Sequence, residues 1–102
     1  MKLYITRIEP VKKQWRINLS GLIKFPQEVI LVLDLKKKDT IMIFTTEEKN
    51  FGKKHQIDER GRLVIPFWIR ENLNIQVGQN ILILSDGEHY YLKPEQPSNR
   101  RA

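Results

Sequence analysis

The stretch Ile57–Pro66, with the sequence IDERGRLVIP, has the pattern of a tight β-hairpin that leads into a helix. Gly61 can take the positive φ angle that residues with side chains resist, so it marks the turn between two short strands. Pro66 has no N–H, and it therefore suits the first turn of a helix better than the interior of a sheet. The sequence predicts a helix over Phe67–Leu73 that ends at Asn74, a residue type that tolerates the left-handed conformation.

The same pattern occurs forty residues earlier in the chain. A shift without gaps aligns residues 15–44 with residues 55–84. Identical residues meet at Ile17/Ile57, Gly21/Gly61, Pro26/Pro66, Leu33/Leu73, Ile41/Ile81 and Ile43/Ile83. A chain of 102 residues is too short for two independent cores. We therefore expect two pseudo-symmetric units that share one barrel-like core.

The predicted organisation is a single domain, residues 1–94, followed by a flexible tail, residues 95–102. Within the domain we expect an N-terminal strand at 3–9, units at about 15–54 and 55–94, and a hairpin turn at Asp86-Gly87. The fold class is mainly β with short helices.

The composition favours a soluble protein with a polyanionic partner. The formal net charge is +6, there is no cysteine, and residues 1–14 carry four basic residues against one acidic residue. No apolar run approaches the roughly 20 residues of a membrane span, and the first residues do not resemble a signal peptide. We expect a cytoplasmic location and no membrane partner.

No pattern of catalytic residues stands out. His55 and His89 are the only histidines, and neither has a recognised metal-ligand spacing around it. Asp58 and Glu59 are adjacent, so on a strand they face opposite sides. A phosphate-binding glycine loop is also missing from the sequence. The chain is therefore expected not to be an enzyme, and to need neither a metal nor a cofactor.

The second unit, through IDERGRLVIP and then Ile69, Arg70 and Leu73, resembles the AbrB/SpoVT/MazE family of swapped-hairpin DNA-binding proteins. The resemblance covers about residues 54–94 and implies one barrel in which two copies interleave their hairpins. It also implies double-stranded DNA as the partner, and that one chain, rather than the usual two, could supply both copies. By position in the family pattern, the DNA-binding residues are Arg62, Arg70, Arg60, Lys54 and Lys53. The sequence departs from the pattern at Glu71, where a second basic residue is frequent, and at Asn74, where glycine is usual.

Each of these side chains also has a plainer interpretation. Arg62 fits a solvated turn, and Arg70 fits a surface ion pair with Glu71 or Glu59. Trp15 and Trp68 could stack on bases, but both adjoin apolar repeat positions and are expected to pack in the core or in a dimer interface.

The first unit departs from the second where the helix is expected. Leu22 and Ile30 replace the arginines of the second unit, and Leu31 replaces Glu71. A helix over Val29–Leu33, ending at Asp34, would be apolar on every face and would need a partner, so Ile30 and Leu31 are predicted to form a homodimer interface. A buried β-strand is the alternative for this β-branched run.

The predicted function is that of a sequence-preferring, double-stranded DNA-binding transcription regulator. One alternative is a protein-interaction or assembly module that keeps the barrel without binding DNA, because residues 55–94 carry four basic and five acidic residues. An antitoxin, with a protein toxin as its partner, is a further variant, although the segment after Pro94 is short for one.

Overall fold

The described part of the chain forms one sheet of eight antiparallel strands. The computed structural model describes residues 2–24, 26–34, 36–37, 39–49 and 51–95. The strands are β1 Tyr4–Pro10, β2 Arg16–Asn18, β3 Gln27–Leu33, β4 Ile41–Thr45, β5 Lys54–Ile57, β6 Arg62–Val64, β7 Asn80–Ser85 and β8 Tyr90–Pro94. A 3-10 turn, Lys13–Trp15, precedes β2, and a short helix, α1 Phe67–Leu73, follows β6.

The sheet is a nearly closed barrel. Its strand order is β1-β7-β8-β4-β3-β5-β6-β2, and the two end strands, β1 and β2, approach each other. Inward-facing residues such as Ile17, Ile57, Leu63 and Ile83 are almost completely buried and fill the interior. The cavity left at the base of α1 is only about 10 Å³, so the interior is a packed core. The predicted mainly β barrel with short helical elements is confirmed.

The repeat is visible in the strand pairing. The shift of forty residues relates β2 to β5 and β4 to β7. β6 lies between β2 and β5, and β8 lies between β4 and β7. Ile17 and Ile57 are both register partners of Leu63. Equivalent strands of the two units therefore flank a shared neighbour, and their side chains enter the same core.

The local signals of the second unit give the expected turns and helix ends. Gly61 has φ +79° at the β5–β6 turn, and Gly87 has φ +96° in the β7–β8 hairpin. Helix α1 starts directly after Pro66 and ends at Asn74, whose φ of 53° and ψ of 51° are left-handed. Backbone conformation at these four residues follows from the chemistry of each residue type.

The helix predicted over Val29–Leu33 and ending at Asp34 is wrong, because Gln27–Leu33 is strand β3. β3 pairs with β4 on one side and with β5 on the other. This central position satisfies the backbone hydrogen bonds of the run and suits its β-branched side chains. The two units are thus not copies throughout, since the equivalent of β3 in the second unit is α1.

The chain itself buries the residues predicted to form a dimer interface. Leu31 points into the barrel core, and its exposed fraction is 4%. Ile30 points to the outer face and is nevertheless 0% exposed, and Gly52, which lies shortly before β5, is close to its side chain. A Cβ atom on Gly52 would lie 3.1 Å from Cγ2 of Ile30. Neither side chain is exposed to a second chain. The burial that a dimer was expected to provide for Ile30 and Leu31 is already provided within the chain.

The predicted N-terminal strand at 3–9 corresponds to β1, Tyr4–Pro10. Of the predicted tail, only Glu95 is described, and its backbone N–H donates to the carbonyl oxygen of Asn80 at 2.9 Å. Residues 96–102 lie outside the described part of the chain.

Candidate nucleic-acid interface

The carboxylate of Asp58 organises the turn between β5 and β6. Its Oδ1 accepts hydrogen bonds from the backbone N–H of Arg60 at 2.9 Å and of Arg62 at 2.8 Å. Its Oδ2 accepts a third from Nε of the Arg62 guanidinium at 2.8 Å. At the tip of this turn, a Cβ atom on Gly61 would lie only 2.9 Å from Cα of Ser20. One acidic residue and one glycine therefore fix the backbone from which the Arg62 side chain projects.

The hydrogen bonds that Asp58 accepts also set its ionisation. The backbone N–H of Arg62, followed by that of Arg60 and by the guanidinium, holds the pKa of Asp58 below its ordinary value. Asp58 is therefore ionised at neutral pH and partly offsets the charge of Arg62. The Arg62 side chain is 30% exposed, and among the described residues its guanidinium donates from Nε alone. Both Nη groups can therefore donate hydrogen bonds to an acceptor from outside the chain.

Arg62 lies beside two basic residues of the N-terminal segment. A groove of about 170 Å³ is lined by Lys12, Arg16, Ile17, Asn18 and Arg62. The register of the β2–β6 ribbon explains this grouping, since Asn18 pairs with Arg62 and Arg16 pairs with Val64. Because the alternating residues Ile17 and Leu63 point into the core, Arg16 and Arg62 share the outer face. We call this groove and its three cationic side chains the basic groove.

The loop that joins β1 to β2 brings Lys12 to the basic groove. The backbone N–H of Lys12 donates to the carbonyl oxygen of Arg16 at 2.9 Å, which closes a tight hairpin. Lys13 is exposed at the start of this hairpin. Three of the five residues from Lys12 to Arg16 are therefore basic, and they stand at the edge of the sheet.

Arg7 adds a further positive charge next to the basic groove. It crosses the seam between β1 and β2, where one Nη donates to the carbonyl oxygen of Asn18 at 3.0 Å. Its Nε lies 3.0 Å from a carboxylate oxygen of Glu9. Arg7 thus joins the two end strands where no backbone ladder links them, and Glu9 offsets part of its charge.

Arg70 does not form the surface ion pair with Glu71 or Glu59. Its guanidinium carbon lies 4.4 Å from the ring centre of Trp15 and 5.5 Å from that of Phe67, which are cation–π distances. Trp15 and Trp68 both pack against the barrel core, in agreement with the core interpretation of these residues. Arg70 is thus held by aromatic rings, one of which, Trp15, belongs to the Lys12–Arg16 hairpin.

Of the three other predicted DNA-binding residues, only Arg60 shares a surface with Arg62. Arg60 is exposed in the same turn, in a depression that is also lined by Asp58, Glu59 and Arg62. Lys53 and Lys54 are exposed at the opposite end of β5, about 13 Å from the turn for four residues of extended chain. Arg62 and Arg60 are therefore together, whereas the two lysines are apart from them.

Lys12 and Arg16 are the residues that sequence reasoning missed. The only signal was the positive charge of the first residues, because the repeat matches Arg16 with Gln56 and gives no reason to choose it. Their proximity to Arg62 depends on the pairing of β2 with β6, which joins residues more than forty positions apart.

No cluster of three or more potential metal ligands occurs among the described residues. Burial, and then the charge of Lys53, lowers the pKa of His55, which favours its neutral form. Within the described part of the chain, no helix has the length and apolar character of a membrane span.

Comparisons of this chain with protein-family models, with curated proteins and with solved structures found no match.

Proposed function

We propose that this protein binds double-stranded DNA through the basic groove and acts as a sequence-preferring transcription regulator, in the manner of the swapped-hairpin family that its second unit resembles. The observation that carries the proposal is the convergence of Lys12, Arg16 and Arg62 on one groove. Three cations at one edge of a small barrel attract the phosphates of a duplex and release its counterions on binding.

The arginines on the outer faces of the paired strands β2 and β6 have chemistry that suits DNA. Guanidinium groups can bind phosphates, or the O6 and N7 acceptors of guanine, through two hydrogen bonds. Asp58 stabilises one orientation of the Arg62 fork, which reduces the conformational entropy that binding would otherwise cost.

A duplex selection experiment tests this proposal. The protein is mixed with a pool of random duplexes, and bound sequences are recovered and counted. We expect enrichment of particular sequences, and we expect Arg62→Ala to lose about 1–3 kcal/mol of discrimination at one base position if the side chain contacts a base. Lys54→Ala is the matched control, because it also removes one positive charge but at a position outside the basic groove. Absence of duplex binding at low salt would rule out the proposal.

A protein-interaction module on the same barrel is the second candidate. β1 exposes three large apolar side chains at one end of the sheet, Tyr4 at 59%, Ile5 at 59% and Ile8 at 46%. This function predicts protein binding that is insensitive to changes in Arg16 and Arg62. The homodimer and the antitoxin variant stay predictions. The tail through which an antitoxin would bind its toxin, residues 95–102, is described only at Glu95.

A further inference from the structure

A second concave site adjoins the same Lys12–Arg16 hairpin, through Trp15. Its volume is about 240 Å³, and the side chains that matter for its chemistry are Trp15, Phe67, Arg70, Glu71, Asn74 and Gln76. The residues come from the hairpin, from α1 and from the segment after α1. We call this site the aromatic pocket.

Two aromatic rings fix the guanidinium of Arg70 at this pocket. The guanidinium carbon is 4.4 Å from the centre of the Trp15 ring and 5.5 Å from that of Phe67. The Nε atom of Arg70 is buried and has no hydrogen-bond partner among the described residues. Phe67 is 66% exposed, so much of its ring is open to a ligand. The pocket therefore offers a planar apolar surface next to an oriented donor group.

The backbone below the pocket is strained. Gln14 has φ 64° and Trp15 has φ 59°, a conformation that residues with side chains rarely adopt. The carbonyl oxygen of Trp15 accepts a hydrogen bond from the backbone N–H of Ile65 at 2.7 Å, which ties the strained hairpin to the chain just before α1. Strain of this kind persists where surrounding structure imposes it and is concentrated at functional sites. Here it holds the Trp15 ring beside Arg70.

The charges of the pocket select a neutral ligand. Arg70 and Glu71 have opposite charges, and Glu71 disfavours a phosphate or a carboxylate as the occupant. The amides of Asn74 and Gln76 can both donate and accept hydrogen bonds. These polar groups suit a planar ring that carries hydrogen-bond acceptors on one edge and donors on another. Nucleobases are rings of this kind.

The position of the pocket relates it to the basic groove. Lys12 and Arg16 line the groove, whereas Trp15, between them in the sequence, lines the pocket. A strand whose phosphates lie in the groove would bring a neighbouring base to the aromatic rings. A base inside a duplex is stacked and paired, so only an unpaired base can enter.

We propose that the aromatic pocket binds an unpaired nucleobase of a nucleic-acid strand whose phosphates lie in the basic groove. Phe67 stacks on the face of the base, and Arg70 donates to its acceptor edge. Glu71 accepts from its donor edge. This proposal rests on the proposed nucleic-acid function and adds a preference for distorted or unpaired sites.

Three duplexes of one sequence test it. One is fully paired, one has a central single-guanine bulge, and one has the same bulge without a base. We expect the chain to bind the guanine bulge about tenfold more tightly than the other two, a typical value for stacking of one base on an aromatic ring. Phe67→Ala should abolish this preference and leave affinity for the paired duplex unchanged. The control Phe51→Ala removes a ring of similar exposure, 68%, from a different surface and should keep the preference.

Fluorescence gives an independent readout. In a Trp68→Phe variant, Trp15 is the only tryptophan, and its emission should be quenched by the guanine bulge but not by the bulge without a base. Equal affinity for all three duplexes would overturn the pocket proposal while leaving duplex binding intact. Failure to bind any of them would overturn both proposals. If the preference for the guanine bulge survives Phe67→Ala, the base binds elsewhere, and the pocket proposal is overturned as well.

Discussion

Nε of Arg62 donates a 2.8 Å hydrogen bond to the carboxylate of Asp58, the same carboxylate that holds the backbone of the β5–β6 turn. The side chain that orients the proposed DNA contact is therefore also the one that builds the turn. Folding of the hairpin and placement of Arg62 are coupled through this single acidic residue.

Acid should weaken the fold through Asp58. Its pKa is lowered in the folded chain, so its stabilising contribution is complete above the unfolded pKa, near 3.8, and is lost as pH falls through the lower folded value. The free energy of unfolding of Asp58→Asn should therefore change less than that of the unchanged chain between pH 5 and pH 2. Chemical unfolding at several pH values measures the difference. Parallel pH profiles would contradict the assigned role of Asp58.

Tyr91 should titrate late in alkali. Burial, and then the 2.7 Å hydrogen bond to Asp86, raises its pKa to about 12. Its stabilising contribution is complete below the unfolded pKa of 10.0 and is lost as pH rises towards 12. Ultraviolet titration of tyrosinate, with Tyr91→Phe to assign the transition, should show this late step. Asp86→Asn should move the Tyr91 transition to lower pH, and an unmoved transition would show that the hydrogen bond is not formed.

Gly61→Ala should destabilise the chain more than Gly78→Ala does. Both glycines have positive φ angles, which cost an alanine about 1–2 kcal/mol. Only at Gly61 would the new Cβ also meet backbone, 2.9 Å from Cα of Ser20, whereas no atom lies within 4 Å of a Cβ at Gly78. The free energies of unfolding of the two variants, measured by urea titration, should separate the contact from the backbone cost. Equal losses would mean that the hairpin does not pack on Ser20 in this way.

Ile30→Ala should lower the free energy of unfolding by about 2–5 kcal/mol, because the side chain is completely buried within the chain. Ile8→Ala, at a position that is 46% exposed, is the control and should stay within about 0.5 kcal/mol of the unchanged chain. Light scattering on the folded Ile30→Ala variant should give the same molar mass as the unchanged chain. A small change in stability together with a lower mass would instead support the interface predicted from the sequence.

The sequence indicates the fold best where single residues determine the local backbone. Gly61, Pro66, Asn74 and the Asp86-Gly87 turn act through their own steric and hydrogen-bonding properties, and each lies where it was predicted. The apolar skeleton of the repeat correctly predicts a shared core. The run Val29–Leu33 has no polar residues to reveal a period of two or of 3.6, so analogy with α1 led to the wrong element.

The candidate site was predictable only in part. Arg62 stands in a recognisable turn, but its neighbours Lys12 and Arg16 reach it through strand pairing that no local pattern encodes. Arg70 was correctly placed on α1, but its aromatic partner Trp15 lies 55 positions away and could not be inferred from helix periodicity.

The salt dependence of duplex DNA binding tests the central proposal most directly. Affinity for a duplex is measured across a series of salt concentrations for the unchanged chain, for Arg16→Ala/Arg62→Ala and for Lys53→Ala/Lys54→Ala, which removes the same charge at the far end of β5. If both arginines meet phosphates, the slope of log affinity against log salt should flatten by about two units in the arginine variant. The lysine variant should keep a slope close to that of the unchanged chain. Equal slopes and equal affinities for all three proteins would contradict DNA binding at the basic groove.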